Sequence, residues 1–313
     1  MIEADRLSKS FDDFLAVDEV TFQVTPGQIL VLLGPNGAGK TTTVRMLTSV
    51  LRPTSGSARV NGFDVVKDAD RVRSLVGVLT EHHGLYARMS AIEYLEFFGD
   101  LYGLDRTLCK RRADEMLEQF GLSTARKKRL GEYSKGMRQK LALIRALLHD
   151  PPVLLFDEPT SAMDPESARV VREAIKLLRS AERTIILCTH NLAEAEILAD
   201  RVAIIRRGKI ILMGSLGEIK HELLGPAEYE ARFAAPLTDW NMPLPPGTRL
   251  TCQGDNWLRF CSNKPDEDNA LIIRALLASN FPAVVSFQEV ERSLEQVYIQ
   301  AVRQADQEES YVG

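Results

Sequence analysis

The chain has 313 residues, 45% of them hydrophobic, as in soluble globular proteins, which is enough for one large domain or two ordinary ones. Lys and Arg number 39 against 43 Asp and Glu, a net charge of −4, so no global basic field points to nucleic acid and no nucleic-acid partner is expected. Cys109, Cys188, Cys252 and Cys261 form no C-x-x-C pair, so neither a disulfide framework nor a zinc site is implied and a reducing cytosol fits best. The opening MIEADRL is too acidic for a signal peptide, and no apolar run approaches the ~18 residues that a membrane span needs.

From Gln28, QILVLLG is an unbroken apolar run ending at glycine, the pattern of a buried strand. A glycine-rich turn follows, then TTTVRMLTSVL, which reads as a helix. Ser90 and Glu93 predict a capping box at the start of a helix over AIEYLEFFGDLYG, and residues 112–120 read as a second helix. In EYSKGMRQK, residues 132–140, Ser134 and Gly136 precede Met137, Leu141, Ile144 and Leu148 at helical spacing. The first turn of such a helix has free N–H groups and a partial positive charge, which suit an anion. PPVLLFDEPT and TIILCTH read as two more buried strands, with helical stretches over residues 167–178 and 192–198. Apolar strands alternating with helices predict an α/β fold with a mostly parallel sheet, interrupted by a helical subdomain over about 88–148.

Near Gly214 the pattern changes. A proline-rich stretch, DWNMPLPPGT, leads to alternating strands TRLTCQ and NWLRFCS, a helix over 268–278, a strand over 283–290 and a last helix with Leu294, Val297, Tyr298, Ala301 and Val302 on one face. The expected organisation is therefore an α/β domain over 1–219, a small α+β domain over 220–304 and a flexible polar tail over 305–313.

Two patterns carry chemistry. Gly34, Pro35, Asn36, Gly37, Ala38, Gly39, Lys40 and Thr41 match G-x-x-x-x-G-K-[ST] between a strand and a helix, the phosphate-binding loop. Its glycines let successive N–H groups face phosphates, Lys40 reaches the β- and γ-phosphates, and the Thr41 hydroxyl is a Mg²⁺ ligand. VLLFDEP ends a strand in adjacent acids, at the edge where α/β folds bind ligands: Asp157 is placed to hold Mg²⁺ and Glu158 to orient and deprotonate an attacking water.

GPNGAGKTT, YSKGM, VLLFDEPTSAMD and THN, in that order, resemble the nucleotide-binding subunits of ABC transporters over roughly residues 2–218. The resemblance implies a P-loop ABC ATPase domain that uses ATP and Mg²⁺. It places Phe11 against adenine, adds Thr42 to the phosphate loop, sets His190 at the γ-phosphate and makes Asp164 a residue that couples the two sites of a dimer. It also implies that Ser134 and Gly136 of one copy close over the ATP of another in a head-to-tail homodimer. Two departures stand out: YSKGM replaces the usual LSGGQ, and Glu81 occupies the place of a glutamine that contacts the nucleotide and its metal. The neighbouring His82 and His83 read as loop residues.

In this family the helical insert bears on a membrane permease, so residues 81–104 are the expected contact, and the protein is expected at the cytoplasmic face of the membrane. The YSKGM variant and the carboxy-terminal extension resemble type-2 exporters of the drug-resistance and sodium-extrusion kind. A soluble ABC ATPase of translation or DNA repair is the alternative, although such proteins usually carry tandem P-loop domains or a long coiled-coil insert. NKPD at 263–266 fits a guanine-reading pattern but lies in the separate carboxy-terminal domain.

Overall fold

A computed structural model describes residues 1–80, 84–161, 163–179, 182–237, 244–262, 264–278 and 282–312. Two compact units are present: residues 1–216 with the chain from Ala305 onward, and Gly217–Gln304.

The first unit contains two sheets. One runs β10-β9-β3-β8-β7-β6 and is built from β3 (Ile29–Leu33), β6 (Val76–Leu79), β7 (Val153–Asp157), β8 (Thr184–Thr189), β9 (Arg201–Arg206) and β10 (Lys209–Ser215). Its neighbours pair in parallel except β10 with β9. ILVLL, VLLFD and TIILCT are buried at every residue, because helices and a second sheet leave neither face open to water.

The second sheet, β2-β1-β4-β5, has no counterpart among the elements expected from the sequence. It comprises β1 (Ile2–Phe11), β2 (Phe14–Val24), β4 (Ser55–Val60) and β5 (Phe63–Asp64), all antiparallel. Irregular register in β1, with Arg6 and Glu19 at positive φ, breaks the alternation that would have announced these strands. Helix α1 (Lys40–Leu47) packs between the sheets, and Val44, Met46 and Leu47 join Leu7 and Phe22 of one with Leu32, Leu155 and Ile186 of the other in a single core. Helix α2 (Ala69–Leu75) precedes β6.

The helical part consists of α3 (Ala91–Leu101), α4 (Arg106–Gln119) and α5 (Lys135–Leu147). The Ser90–Glu93 capping box is present, with the Ser90 N–H donating to Glu93 at 2.7 Å. Arg145 ties α5 to α3 and to the sheet, donating to the Tyr94 hydroxyl at 3.0 Å and to the Val78 carbonyl at 3.3 Å. Helices α6 (Pro165–Leu178) and α7 (Leu192–Leu198) follow β7 and β8.

In the second unit, after α8 (Leu216–Leu224), the strands β11 (Glu228–Phe233), β12 (Thr248–Gly254), β13 (Trp257–Ser262) and β14 (Val284–Glu289) form an antiparallel sheet in the order β12-β13-β11-β14. Helix α9 (Pro265–Ala278) buries Ile272 and Leu276 against Ala231, Phe233, Leu258 and Phe260. The final helix, α10, runs Leu294–Val312, so the expected flexible tail is instead its last turns. RQADQEES is rich in strong helix formers, which sustain a helix without apolar residues, and Asp306 pairs with Arg206 at 2.7 Å. Among the described residues no helix is long and apolar enough to cross a membrane.

Candidate functional site: a phosphate loop facing two strand ends

The loop between β3 and α1 is set by close backbone approach. A side chain at Gly34 would overlap the Ile205 carbonyl, and one at Gly39, where φ is 106°, would stand 2.6 Å from the Ala16 carbonyl. Pro35, Asn36 and Gly37 are exposed, Ala38 and Gly39 are buried, and Thr42 is half-buried in the first turn of α1. The Gly34 N–H donates to the Thr189 carbonyl at 3.3 Å, which fastens the loop to the end of β8. Lys40 is buried, and its ammonium donates to the carbonyls of Gly34 at 2.6 Å and Pro35 at 3.0 Å.

The end of β7 faces this loop. The Thr41 hydroxyl donates to Asp157 Oδ2 at 2.6 Å. This oxygen pair suits a hard divalent cation such as Mg²⁺, which takes few protein oxygens and completes its octahedron with water and phosphate. Among the described residues no group of three or more His, Cys, Asp and Glu side chains is arranged for another metal. One residue on, Glu158 Oε1 lies 2.8 Å from His190 Nδ1 and 3.7 Å from Lys40 Nζ. A carboxylate only accepts, so Nδ1 carries the proton and Nε2 is left for another partner. Glu158 itself has φ 52°, a left-handed conformation that costs a non-glycine residue about 1–3 kcal/mol unless neighbours hold it.

The two strand ends are braced beneath the site. The Thr160 hydroxyl donates to Glu194 at 2.8 Å, and burial raises the Glu194 carboxyl above its usual range while these hydroxyl contacts oppose the rise. Full burial likewise pushes the Cys188 thiol well up, so that residue is a packing group rather than a nucleophile.

The remaining sequence-predicted residues lie on other elements. Ser134 caps α5 and accepts from the Met137 N–H at 3.2 Å, which leaves its own O–H free to donate. Gly136 opens onto unfilled space: among the described residues nothing beyond its chain neighbours and its own helix backbone comes within 4 Å of where a Cβ would sit. Asp164 caps α6 ahead of Pro165, and the Ser167 N–H, 2.9 Å away, holds its carboxyl below the usual range. Phe11 ends β1, 44% exposed, with Lys9 Nζ 5.2 Å from the ring centre. Glu81, His82 and His83 lie outside the described residues, as does Asn263 of the NKPD stretch. The structure thus brings together Gly34, Lys40, Thr41, Asp157, Glu158 and His190, and leaves Phe11, Ser134, Gly136 and Asp164 at separate positions.

Gln139 was missed. It is a buried polar residue on α5, with its amide donating to the carbonyls of Glu158 and Pro159. The only sequence signal was a glutamine beside the apolar stripe of a helix.

Comparison with known proteins places this geometry in context. Residues 17–161 match the family model described as ABC transporter. The ABC transporter ATP-binding protein NatA of Bacillus subtilis is 42% identical over 221 residues, covering 69% of this chain and 90% of the relative. The daunorubicin resistance ATP-binding protein DrrA3 of Streptomyces coeruleorubidus is 39% identical, over 72% and 71%. A solved ATP-binding subunit of an ABC transporter superposes with a TM-score of 0.68 at 29% identity, covering 72% of this chain and 94% of that one.

Proposed function

The chain belongs to the ABC transporter ATP-binding proteins, and from that premise we propose that it hydrolyses ATP between two copies of itself to power export through a separate membrane permease. The observation that carries the reading is the convergence of Lys40, Thr41, Asp157, Glu158 and His190 on one loop, although they come from three separate segments.

The phosphate loop N–H groups and Lys40 bind the phosphates, with Lys40 exchanging its two loop carbonyls for phosphate oxygens. Thr41 and Asp157 would hold Mg²⁺, which when bound neutralises charge on the phosphates. Glu158 orients a water and takes its proton, and His190 turns Nε2 toward the γ-phosphate. Phe11 offers an exposed ring to adenine, and Asp164 belongs to the dimer contact.

Ser134 and Gly136 complete the pocket of the partner's ATP. A helix end alone contributes about 0.3–1 kcal/mol toward holding a charge, and hydrogen bonds to charged groups about 1.5–3 kcal/mol each. Docking two proteins costs about 4–15 kcal/mol, so one grip does not hold a dimer shut, whereas two ATP-dependent grips shift the balance. Closure therefore follows ATP binding, and hydrolysis releases it.

Tyr86, Phe97 and Leu101 are exposed large apolar side chains on and just before α3, and Tyr86 and Phe97 meet edge to face at 5.8 Å. Such a patch fits an apolar segment of a permease and supports the reading of a protein held peripherally at the cytoplasmic face of the membrane. The drug-resistance name of one relative supports export as the direction. Glu158→Gln tests the reading: the variant is expected to bind ATP, hydrolyse it very slowly and accumulate as a dimer in size-exclusion chromatography. Normal turnover would remove Glu158 from its role.

A further inference from the structure

We propose that Gln139 is the positioning residue for the Glu158 carboxylate, acting from the same helix whose first turn grips the partner's nucleotide. The dimer half of this statement rests on the function proposed above; the positioning half rests on contacts within one chain.

Glu158 needs outside support because its left-handed backbone is unfavourable for any residue with a Cβ. Three elements supply it. The Glu158 N–H donates to the Cys188 carbonyl of β8 at 2.9 Å. Its carbonyl accepts from the Ser161 N–H at 3.1 Å and from Gln139 Nε2 at 3.2 Å. Gln139 Nε2 also donates to the next carbonyl, Pro159, at 2.9 Å.

An amide nitrogen has two hydrogens, and both are used on consecutive carbonyls of the turn that carries Glu158. Gln139 is 4% exposed, so water does not replace it when it is removed. Other elements hold the Glu158 N–H, whereas among the described residues Gln139 is the side chain that bonds to both carbonyls following it. Loss of Gln139 frees the turn to relax toward an unstrained conformation and swings the carboxylate away from the water position. Catalytic geometry tolerates little of this, since an error of about 1 Å costs on the order of 100-fold in rate.

Ser134 and Gln139 lie five positions apart on one helix, roughly 7.5 Å along its axis. A helix transmits a shift of its first turn along its length almost undiminished. Seating Ser134 on the partner's γ-phosphate therefore bears, through Gln139, on the Glu158 of the same chain, which serves the other nucleotide. This gives the two hydrolysis sites a route of only a few residues by which each senses occupancy of the other.

The test uses the full chain with ATP and Mg²⁺, and circular dichroism confirms folding. Gln139→Met keeps the length and removes both donors; kcat is expected to fall about tenfold while the KM for ATP stays within twofold. Gln139→Glu faces two carbonyls with a carboxylate and is expected to fall further, with activity recovering as pH is lowered because the protonated acid regains one donor. In a Glu158→Gln background, adding Gln139→Met is expected to leave ATP-driven dimerisation intact. An unchanged kcat in Gln139→Met, or a loss of kcat together with KM and dimerisation, would overturn the assignment, the latter because it marks a residue that only holds α5 in place. Absence of an ATP-driven dimer in Glu158→Gln alone would refute the dimer reading and the cross-site route, while kcat of Gln139→Met still decides the positioning role.

Discussion

Replacing Lys40 by alanine removes an ammonium that is only 5% exposed and that bonds to two loop carbonyls at 2.6 and 3.0 Å, beside Glu158 at 3.7 Å. On the function proposed above, its N–H groups turn to the β- and γ-phosphates once ATP is bound. Two bonds between an ammonium and a phosphate, both partners ionised, lie at the upper end of the charge-assisted range, about 3 kcal/mol each, roughly 6 kcal/mol together. Binding first gives up two bonds in which only the ammonium is charged, at the lower end of that range, about 1.5–2 kcal/mol each, roughly 3–4 kcal/mol together. The difference, about 2–3 kcal/mol, corresponds to an affinity for ATP weaker by about 30- to 150-fold. Isothermal titration calorimetry measures it directly, and Lys40→Met, which keeps much of the aliphatic stem, separates lost charge from lost packing. A dissociation constant within threefold of the original in folded Lys40→Met would refute the exchange of carbonyls for phosphates.

Three other outcomes follow from the geometry. Ser134→Arg keeps the ATP affinity of a single chain within twofold but fills the space over Gly136, so ATP no longer produces a dimer in size-exclusion chromatography. Phe11→Ala loses a stacking surface worth about 0.5–1.5 kcal/mol, and the KM for ATP rises by about 2- to 12-fold while binding of inorganic tripolyphosphate is unchanged. Burial lowers the imidazole of His149, which stacks on Tyr102 at 3.8 Å, from 6.5 to about 4. The unfolded chain takes up a proton at this residue as pH falls below about 6.5, and the folded one only near 4, so stability is lost across that window, by roughly 3 kcal/mol at its lower end. His149→Phe keeps a flat ring against Tyr102, and its denaturant midpoint should be correspondingly less sensitive to pH between 6.5 and 4.

The site was legible in the sequence to the extent that it is local. The phosphate loop, the acids at the end of VLLFD and the histidine after TIILCT each sit at a strand end that its own apolar run announces. The Ser90 capping box and the Ser134 cap were visible for the same reason, since donor and acceptor are three residues apart. The antiparallel sheet of β1, β2, β4 and β5 was not visible, because bulges disrupt its alternation and its strands pair across the whole phosphate-loop unit. The polar end of the chain has the composition of a flexible tail, yet its Arg, Gln, Ala and Glu residues have the propensity that carries α10 on to Val312.

Consecutive residues alone specify the groups on offer: glycines where backbone crowds backbone, a lysine and a threonine at the start of a helix, and two acids at a strand end. These are short-range properties of consecutive residues, and side-chain chemistry and φ/ψ sterics dictate them wherever the segment lies. Which of these groups meet is a property of the packed fold. Thr41 and Asp157 are 116 residues apart, and they meet because strand order sets β3, β8 and β7 side by side. The same packing delivers Gln139 to the backbone of Glu158. Such pairings depend on which strand lies beside which and on how α5 packs, information spread over the entire core rather than held in any one motif.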